Sequence, residues 1–319
     1  MEIAILDAAT LGDDLDLSPF RRFGNVTVYP NTSPDEVASR IEGAEAVIVN
    51  KIRLGEDNLK NARRLRLICV AATGYDNISL DYCRARGIAV CNVVGYSANS
   101  VSLVTVAMAL SLVCHLPEYR ECVASGEYSR GQTANRLIPV YHEICGKTWG
   151  VFGHGAIGCR VADAARALGC RVLYTRRRAD ESPDCVSLNV LCREADILSL
   201  HSPLTEETRG AIGEEQLRLM KRDAILINAS RGAVTDEEAV ARAILEGRLG
   251  GFGCDVYSRE PYPESHPYHA IAHLPNVCLT PHMAWGAYEA RVRCRDEMVE
   301  NIASFLRGEL RSRVELSAL

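Results

Sequence analysis

Three absences narrow the class of protein to which this chain of 319 residues belongs. The longest apolar run, Val101 to Cys114, is shorter than the ~20 residues that a membrane span needs, so we interpret it as a buried helix and expect no membrane partner. No long block of like charge accompanies the net charge of −5, so we expect no nucleic-acid partner. The 13 cysteines include no C-x-x-C pair, which argues against a metal site and against a disulfide framework.

The rest of the composition is typical of a soluble α/β protein, with 47% hydrophobic and 24% charged residues. The cysteines lie mostly inside predicted strands and helices, as small buried hydrophobic residues do in a reducing compartment. Met1 leads directly into the strand-like segment Ile3–Leu6, with no signal peptide, so we expect a cytoplasmic protein. The length suits two domains of ordinary size.

The first hundred residues alternate short apolar runs with helical segments, which predicts a small α/β unit. One helix starts at Ser33, which is followed by Pro34 and two acids, and Ser79 caps a second helical segment that ends at Gly87. The predicted strands are Ile3–Asp7, Val26–Tyr29, Ala46–Asn50, Leu67–Ala71 and Ile88–Cys91.

A second α/β series begins at Thr148, after a long predicted helix over Asn99–Ala124 and a stretch of mixed character. Thr235–Glu238 is a capping box that opens a helix ending near Gly247, and a last amphipathic helix covers Tyr288–Leu306. The predicted strands are Trp149–Phe152, Arg171–Thr175, Ile197–His201, Ala224–Asn228, Gly251–Asp255 and Val277–Thr280.

The last three of these strands are each followed by a side chain suited to anion binding or proton transfer. Arg231, Glu260 and His282 come after the three strands in that order. Ligands bind at the carboxyl ends of strands in an open parallel sheet, so we expect these side chains to share a site. Arginine grips a carboxylate, histidine moves a proton near neutral pH, and glutamate tunes the histidine. The combination predicts redox chemistry on a small 2-keto or 2-hydroxy acid.

A glycine-rich loop follows the first strand of the second series and matches the pattern G-x-G-x-x-G. Because it lies between a strand and a helix, this pattern predicts a dinucleotide site, with the pyrophosphate on the helix N-terminus. The loop consists of Gly153, His154, Gly155, Ala156, Ile157 and Gly158.

The acid that usually marks an NAD site, about 20 residues beyond such a loop, is missing. The next strand ends at Thr175, followed by Arg176 and Arg177. Nothing there would repel a 2′-phosphate, and an arginine there can pair with it, so the sequence favours NADP(H). NAD(H) is the alternative, because Asp180 and Glu181 lie close by and the arginines can form a solvated turn.

Motifs in a fixed order make the chain resemble the D-isomer-specific 2-hydroxyacid dehydrogenases along nearly its whole length. Residues 71–78 and 280–286 look most like the branch of glycerate dehydrogenases and hydroxypyruvate reductases. Thr175 departs from the aspartate that many NAD-using members carry, which puts the coenzyme in doubt but not the chemistry. The matching motifs are the glycine loop, Pro203–Thr208, Ser230–Gly232, Asp255–Pro261 and Pro281–His282.

The resemblance implies an α/β fold of two parallel-sheet domains, Rossmann-like and flavodoxin-like, with the coenzyme domain inserted into the substrate domain. The substrate domain would comprise residues 1–98 and 285–319, and the dinucleotide-binding domain residues 99–284. Substrate would bind in the cleft. Family members are usually homodimers, so we expect a homodimer with residues 116–146 forming much of the contact.

The family mechanism assigns roles to the predicted site. His282 would give its proton to the carbonyl oxygen, and Glu260 would favour the charged imidazolium. Arg231 would bind the substrate carboxylate and keto oxygen, Asp255 would fix the nicotinamide carboxamide, and His201 would lie near the nicotinamide ribose. Besides the glycine loop, the residues expected to bind coenzyme are Thr175, Arg176, Arg177, His201, Ser202, Pro203, Thr208, Ala229, Ser230 and Asp255.

The remaining substrate contacts are expected from the turn Ala72, Thr73 and Gly74, whose backbone N–H groups can form an anion nest for the carboxylate. Lys51 ends a predicted strand and is either a substrate ligand or a solvated lysine. Trp285 is either a wall of the substrate pocket or a packing residue at the hinge.

The predicted function is hydride transfer between NAD(P)H and a small 2-keto or 2-hydroxy acid, with hydroxypyruvate or glyoxylate as the expected substrate. The alternatives are a dehydrogenase of D-lactate, of aromatic 2-hydroxyacids or of 3-phosphoglycerate. A different class is a dinucleotide-sensing protein similar to the corepressors that share this fold.

Overall fold

A computed structural model describes residues 1–178 and 180–316. The chain forms two compact units, Met1–Ser97 with Gly286–Leu319, and Ala98–Trp285, and the final residues 317–319 of the predicted substrate domain lie outside the described part. The roles assigned to the two units stay predictions.

The first unit is built on a sheet of five parallel strands in the order β2-β1-β3-β4-β5. Of the three inner strands, β3 and β4 are buried along their whole length, as expected of parallel strands covered on both faces, whereas the edge strand β2 is largely exposed. The strands are β1 (Glu2–Ile5), β2 (Asn25–Val28), β3 (Ala46–Val49), β4 (Leu67–Val70) and β5 (Ala89–Cys91).

Helices of the first unit come from both ends of the chain. The predicted start at Ser33 is a capping box with Glu36, although a 3₁₀ turn precedes the first α-helix. The last helix has the predicted bounds, and Ala290, Cys294 and Met298 form part of its buried stripe at four-residue spacing. The α-helices are α1 (Val37–Ile41), α2 (Glu56–Leu59), α3 (Leu80–Ala85) and α11 (Tyr288–Leu306).

The second unit is built on a sheet of six parallel strands in the order β11-β10-β9-β8-β6-β7. The chain leaves β6 for β7 on one side and returns to β8 on the other, so the order reverses between β6 and β8. Ligands bind at such a point in open α/β sheets. The predicted fold class is confirmed. The strands are β6 (Thr148–Phe152), β7 (Arg171–Thr175), β8 (Ile197–Leu200), β9 (Ile225–Asn228), β10 (Gly251–Cys254) and β11 (Val277–Leu279).

The helices of the second unit include two corrections to the sequence analysis. The first is that the predicted cap at Thr235 is one residue early, because Asp236 accepts the capping bond from the N–H of Ala239. The α-helices are α4 (Ala98–Val113), α5 (Leu116–Ala124), α6 (Glu127–Arg130), α7 (Ala156–Ala167), α8 (Leu188–Glu194), α9 (Glu214–Leu219) and α10 (Glu237–Leu245).

The single helix predicted over Asn99–Ala124 is wrong, because the chain breaks into α4 and α5 at His115. His115 has a left-handed φ of 50°, and Pro117 opens the next helix, where its missing N–H costs nothing. Within the described residues no single helix is long and apolar enough to cross a membrane; α4 and α5 meet that test only as a pair bent by 65°.

Candidate active site

The glycine loop lies between β6 and α7, at the point where the strand order reverses. Gly153 has a φ of 99°, and a Cβ there would lie 2.6 Å from the Ser202 hydroxyl oxygen. A Cβ on Gly158 would lie 2.1 Å from the Gly153 carbonyl oxygen, so both positions need glycine for the turn to close. A Cβ on Gly155 would have no atom beyond its chain neighbours within 4 Å, so the loop leaves open space there for an approaching group.

The start of α7 fits a dinucleotide. Gly155 occupies the N-cap position, and no side chain of the described residues caps the helix there. A helix N-terminus with uncapped N–H groups favours an anion such as a pyrophosphate. Both ring nitrogens of His201, at the exit of the neighbouring β8, are buried and have no hydrogen-bond partner among the described residues. Burial lowers the pKa of His201 to about 3, so this ring is neutral.

The end of β7 is held against the glycine loop. The hydroxyl of Thr175 accepts a hydrogen bond from the Gly153 N–H at 3.3 Å, and its carbonyl accepts one from the His154 N–H at 3.1 Å. The ring of His154 stacks on Tyr174 with centroids 3.9 Å apart. Arg176 donates to Asp180 at 3.0 Å. Thr175, the last residue of β7, therefore holds the glycine loop, and Arg176 is the next residue in the chain.

Four further predicted coenzyme residues make contacts within the protein. The Thr208 hydroxyl donates to the Pro203 carbonyl at 2.6 Å and closes a turn. The Ser230 hydroxyl donates to Asn228 Oδ1 at 2.9 Å, and Ala229 lies in a buried apolar cluster. Coenzyme binding by these residues stays a prediction.

Arg231 stands on a short loop that a buried asparagine shapes. Asn228 is fully buried at the end of β9; its amide donates to the Arg231 carbonyl at 2.9 Å and accepts from the Ser230 N–H at 3.1 Å. The Arg231 guanidinium donates to the Ser230 carbonyl at 2.9 Å. The sequence analysis did not predict this role of Asn228. The signal for it was a polar residue at the end of an apolar strand.

Glu260 and His282 form a close pair. Oε2 of Glu260 lies 2.5 Å from Nδ1 of His282, and Oε1 accepts the Tyr257 N–H at 3.0 Å. The side chains are 28% and 22% exposed, so the pair lies at a partly shielded edge. A carboxylate on Nδ1 orients the ring, and proton transfer through Nε2 stays a prediction.

The loop that carries His282 is held by Asp255. The buried Asp255 carboxylate accepts from the Thr280 hydroxyl at 2.6 Å and from the N–H groups of Met283 and Ala284 at 2.8 and 2.9 Å. Burial raises the pKa of Asp255. His282 itself has a left-handed φ of 52°. Asp255 thus fixes the turn on both sides of His282; its expected contact with the nicotinamide stays a prediction.

Three loops of one sheet edge are brought together. A Cβ on Gly232, next to Arg231, would lie 2.0 Å from the Tyr257 carbonyl carbon, so the β9 and β10 loops pack backbone to backbone. The Tyr257 hydroxyl donates to the Thr280 carbonyl at 2.8 Å, which joins the β10 and β11 exits.

The predicted substrate residues of the first unit lie at the carboxyl ends of neighbouring strands. Buried Asp7 accepts the N–H groups of Asn50 and Lys51, at 2.9 and 2.6 Å, and so fixes the loop of Lys51. Burial raises the pKa of Asp7, against the effect of these bonds. The Thr73 hydroxyl donates to the Val93 carbonyl at 2.8 Å, which orders the Ala72–Gly74 turn. In the second unit, Trp285 packs partly buried on Val101, Ala229 and Ala284.

Comparison with known proteins decides the family. Residues 106–284 match the family described as D-isomer specific 2-hydroxyacid dehydrogenase, NAD binding domain. The chain belongs to this family. The family resemblance predicted from the sequence is therefore confirmed. The protein is a nicotinamide-dependent oxidoreductase that acts on CH–OH groups.

Relatives and a solved structure extend the match beyond the coenzyme domain. The chain is 38% identical to glycerate dehydrogenase of Methylorubrum extorquens over 90% of this chain and 91% of that one. It is 34% identical to glyoxylate reductase of Thermococcus litoralis over 86% and 83%. The crystal structure of D-lactate dehydrogenase from Aquifex aeolicus, complexed with NAD and lactic acid, superposes with a TM-score of 0.84 at 31% identity over 97% and 96%.

Proposed function

We propose that this protein reduces hydroxypyruvate or glyoxylate with NADPH. The observation that carries the proposal is the 2.5 Å pair of Glu260 and His282 on the same sheet edge as Arg231. Together they supply a proton donor, a carboxylate that orients it, and a ligand for the substrate carboxylate.

The residues divide the reaction between them. When bound, the coenzyme supplies the hydride that adds to the keto carbon. His282 Nε2 gives a proton to the keto oxygen, so the carbonyl gains one hydride and one proton and becomes a hydroxyl. Glu260 stabilises the ring while it carries the proton. Arg231 holds the carboxylate and the keto oxygen through its fork of donors, which orients the substrate.

The substrate class is supported by the named relatives, whose names refer to glycerate and glyoxylate, acids with small substituents at the reacting carbon. Lys51 and the Ala72–Gly74 turn are proposed to bind the carboxylate from the first unit. The match of residues 106–284 to an NAD binding domain supports the second unit as the coenzyme domain, and we propose the first unit as the substrate domain. Trp285 is proposed as a wall of the substrate pocket.

The coenzyme preference rests on the end of β7. Thr175 carries no charge, and its hydroxyl already bonds the Gly153 N–H, so position 175 itself has no carboxylate to repel a 2′-phosphate. The nearby Asp180 carboxylate is paired with Arg176 and Tyr174. Arg176 and Arg177 follow it and are exposed. Arginine recognises phosphate with a bidentate fork, which supports NADPH over NADH.

One experiment tests both parts. Initial rates are measured for NADH and NADPH, each against hydroxypyruvate, glyoxylate, pyruvate and phenylpyruvate. We expect the highest kcat/KM for NADPH with one of the first two acids. A more than tenfold preference for NADH rejects the coenzyme proposal, a preference for pyruvate or phenylpyruvate rejects the substrate proposal, and no turnover with any acid points to a sensing protein.

Two further proposals concern the oligomeric state and the location of the protein. A homodimer through residues 116–146 is supported by exposed apolar side chains there, among them Leu137, Ile138 and Val140 at 67–71% exposure. A cytoplasmic location is supported by 13 cysteines without a disulfide in the described chain.

A further inference from the structure

The second unit contains a second histidine–glutamate pair, which contacts the loop that carries Glu260. Nε2 of His266 is 3.0 Å from Oε2 of Glu237, and their side chains are only 4% and 10% exposed. Neither residue has a part in the reaction proposed above, yet a buried carboxylate needs several donors to offset its desolvation.

The hydrogen bonds of His266 define its tautomer. Its Nδ1 accepts the Tyr268 N–H at 3.2 Å and so caps the 3₁₀ turn Pro267–Ala270. Since Nδ1 is an acceptor, the proton lies on Nε2, which donates to Glu237. His266 thus orients the Glu237 carboxylate.

Glu237 in turn holds the loop that carries Glu260. As the first residue of α10, it accepts from the Ser258 N–H at 2.8 Å through Oε1 and from the Ser258 hydroxyl at 2.5 Å through Oε2. Ser258 lies between Tyr257, which donates to Glu260, and Glu260 itself. Both the N–H and the hydroxyl of Ser258 are therefore bound to one carboxylate.

We propose that Glu237, oriented by His266, is a positioning residue for proton transfer: it fixes Ser258 so that Glu260 meets Nδ1 of His282. The inference rests on the proposed function, because it matters for rate only if Glu260 and His282 act together. A displacement of about 1 Å at a catalytic group can cost up to about 100-fold in rate.

Two variants loosen the loop in different ways. In E237Q an NH₂ group replaces one acceptor oxygen. In place of Oε1 it faces the Ser258 N–H, and in place of Oε2 it faces the His266 N–H, so one of these two donors loses its acceptor. H266N keeps the cap, since asparagine is a preferred N-cap residue, but is too short to reach Glu237. E238Q, at the exposed neighbour on the same helix, is the matched control. We expect kcat to fall roughly 10-fold in E237Q and less in H266N, with the Kd for NADPH and the rate of E238Q unchanged.

The decisive test is a double-mutant cycle with E260Q, because a positioning residue loses its effect once the group it positions is gone. We expect E237Q to slow the wild type but not the E260Q variant, and the NMR signal of the His282 Nδ1 proton to weaken in E237Q. Two results would overturn the positioning role of Glu237 and leave the proposed function intact. One is an equal loss of rate on E237Q substitution in the wild-type and E260Q backgrounds. The other is an unchanged rate in E237Q and H266N while E260Q is slow. An unchanged rate in E260Q overturns the proposed function first.

Discussion

The backbone of Gly232 packs directly on the backbone of Tyr257, so closely that a Cβ on the glycine would lie 2.0 Å from the tyrosine carbonyl carbon. Gly232 follows Arg231, and the Tyr257 N–H donates to Glu260. The contact therefore sets how the loop of Arg231 meets the loop of Glu260.

G232A tests this contact. The added methyl group meets backbone on Tyr257 and Ser258, which cannot yield as a flexible side chain would. We expect the free energy of unfolding to fall by about 1–3 kcal/mol and kcat to fall at least about tenfold. Denaturant unfolding and initial rates measure the two effects. G43A is the control, since a Cβ on Gly43 would have no atom beyond its chain neighbours within 4 Å. A G232A enzyme with the stability and the rate of the wild type would show that the loops can separate without consequence.

D255N tests the anchor of the His282 turn. Asparagine offers only one acceptor oxygen, so at least one of the Met283 and Ala284 N–H groups is left without its partner. We expect a loss of about 1–3 kcal/mol in unfolding free energy, together with a lower kcat. D163N, on an exposed aspartate of α7, is the control. Reduced NADPH binding without any loss of stability would instead favour the contact to the nicotinamide.

His201 makes stability depend on pH. Its pKa is lowered from 6.5 to about 3 by burial, so between these values the unfolded chain takes up a proton that the folded one refuses. The contribution of the neutral His201 to the free energy of unfolding is fully present above pH 6.5 and is lost as the pH falls. Between pH 7.5 and 5.5 we expect wild type to lose about 1 kcal/mol more than H201N. Urea unfolding at both pH values measures the difference, and parallel losses would mean that the ring is solvated.

The proposed dimer surface is tested by L137E. Leu137 is 71% exposed, and a charge there would be buried in a dimer but harmless in a monomer. We expect light scattering to give a dimer for wild type and a monomer for L137E at micromolar concentration. L245E, at a leucine of α10 that is 59% exposed, should stay dimeric. A monomeric wild type would reject the surface.

Much of the fold was readable from the sequence because parallel strands buried on both faces appear as short apolar runs. Strands β3 and β4 are examples, and α11 was delimited to the residue by its apolar stripe and by Gly308, which has a φ of 79°. The helix break at His115 was not predicted, because the apolar pattern continues through it and Pro117 fits a first turn as well as an interior kink.

The candidate site also has a part that the sequence predicted and a part that it did not. The predicted residues each follow a strand within a short local motif, and they are Arg231, Glu260 and His282. The supports of these residues are not local: Glu237 meets Ser258 across 21 residues and His266 across 29. Such pairings depend on which loops the sheet order brings together, which no single motif contains.

The central claim is that His282 transfers the proton. It is tested most directly by the single-turnover rate of NADPH oxidation with hydroxypyruvate in H282Q, with NADPH binding measured alongside. We expect a rate about 10²–10⁴-fold below wild type with an unchanged Kd for NADPH. A near-wild-type rate in H282Q would contradict it.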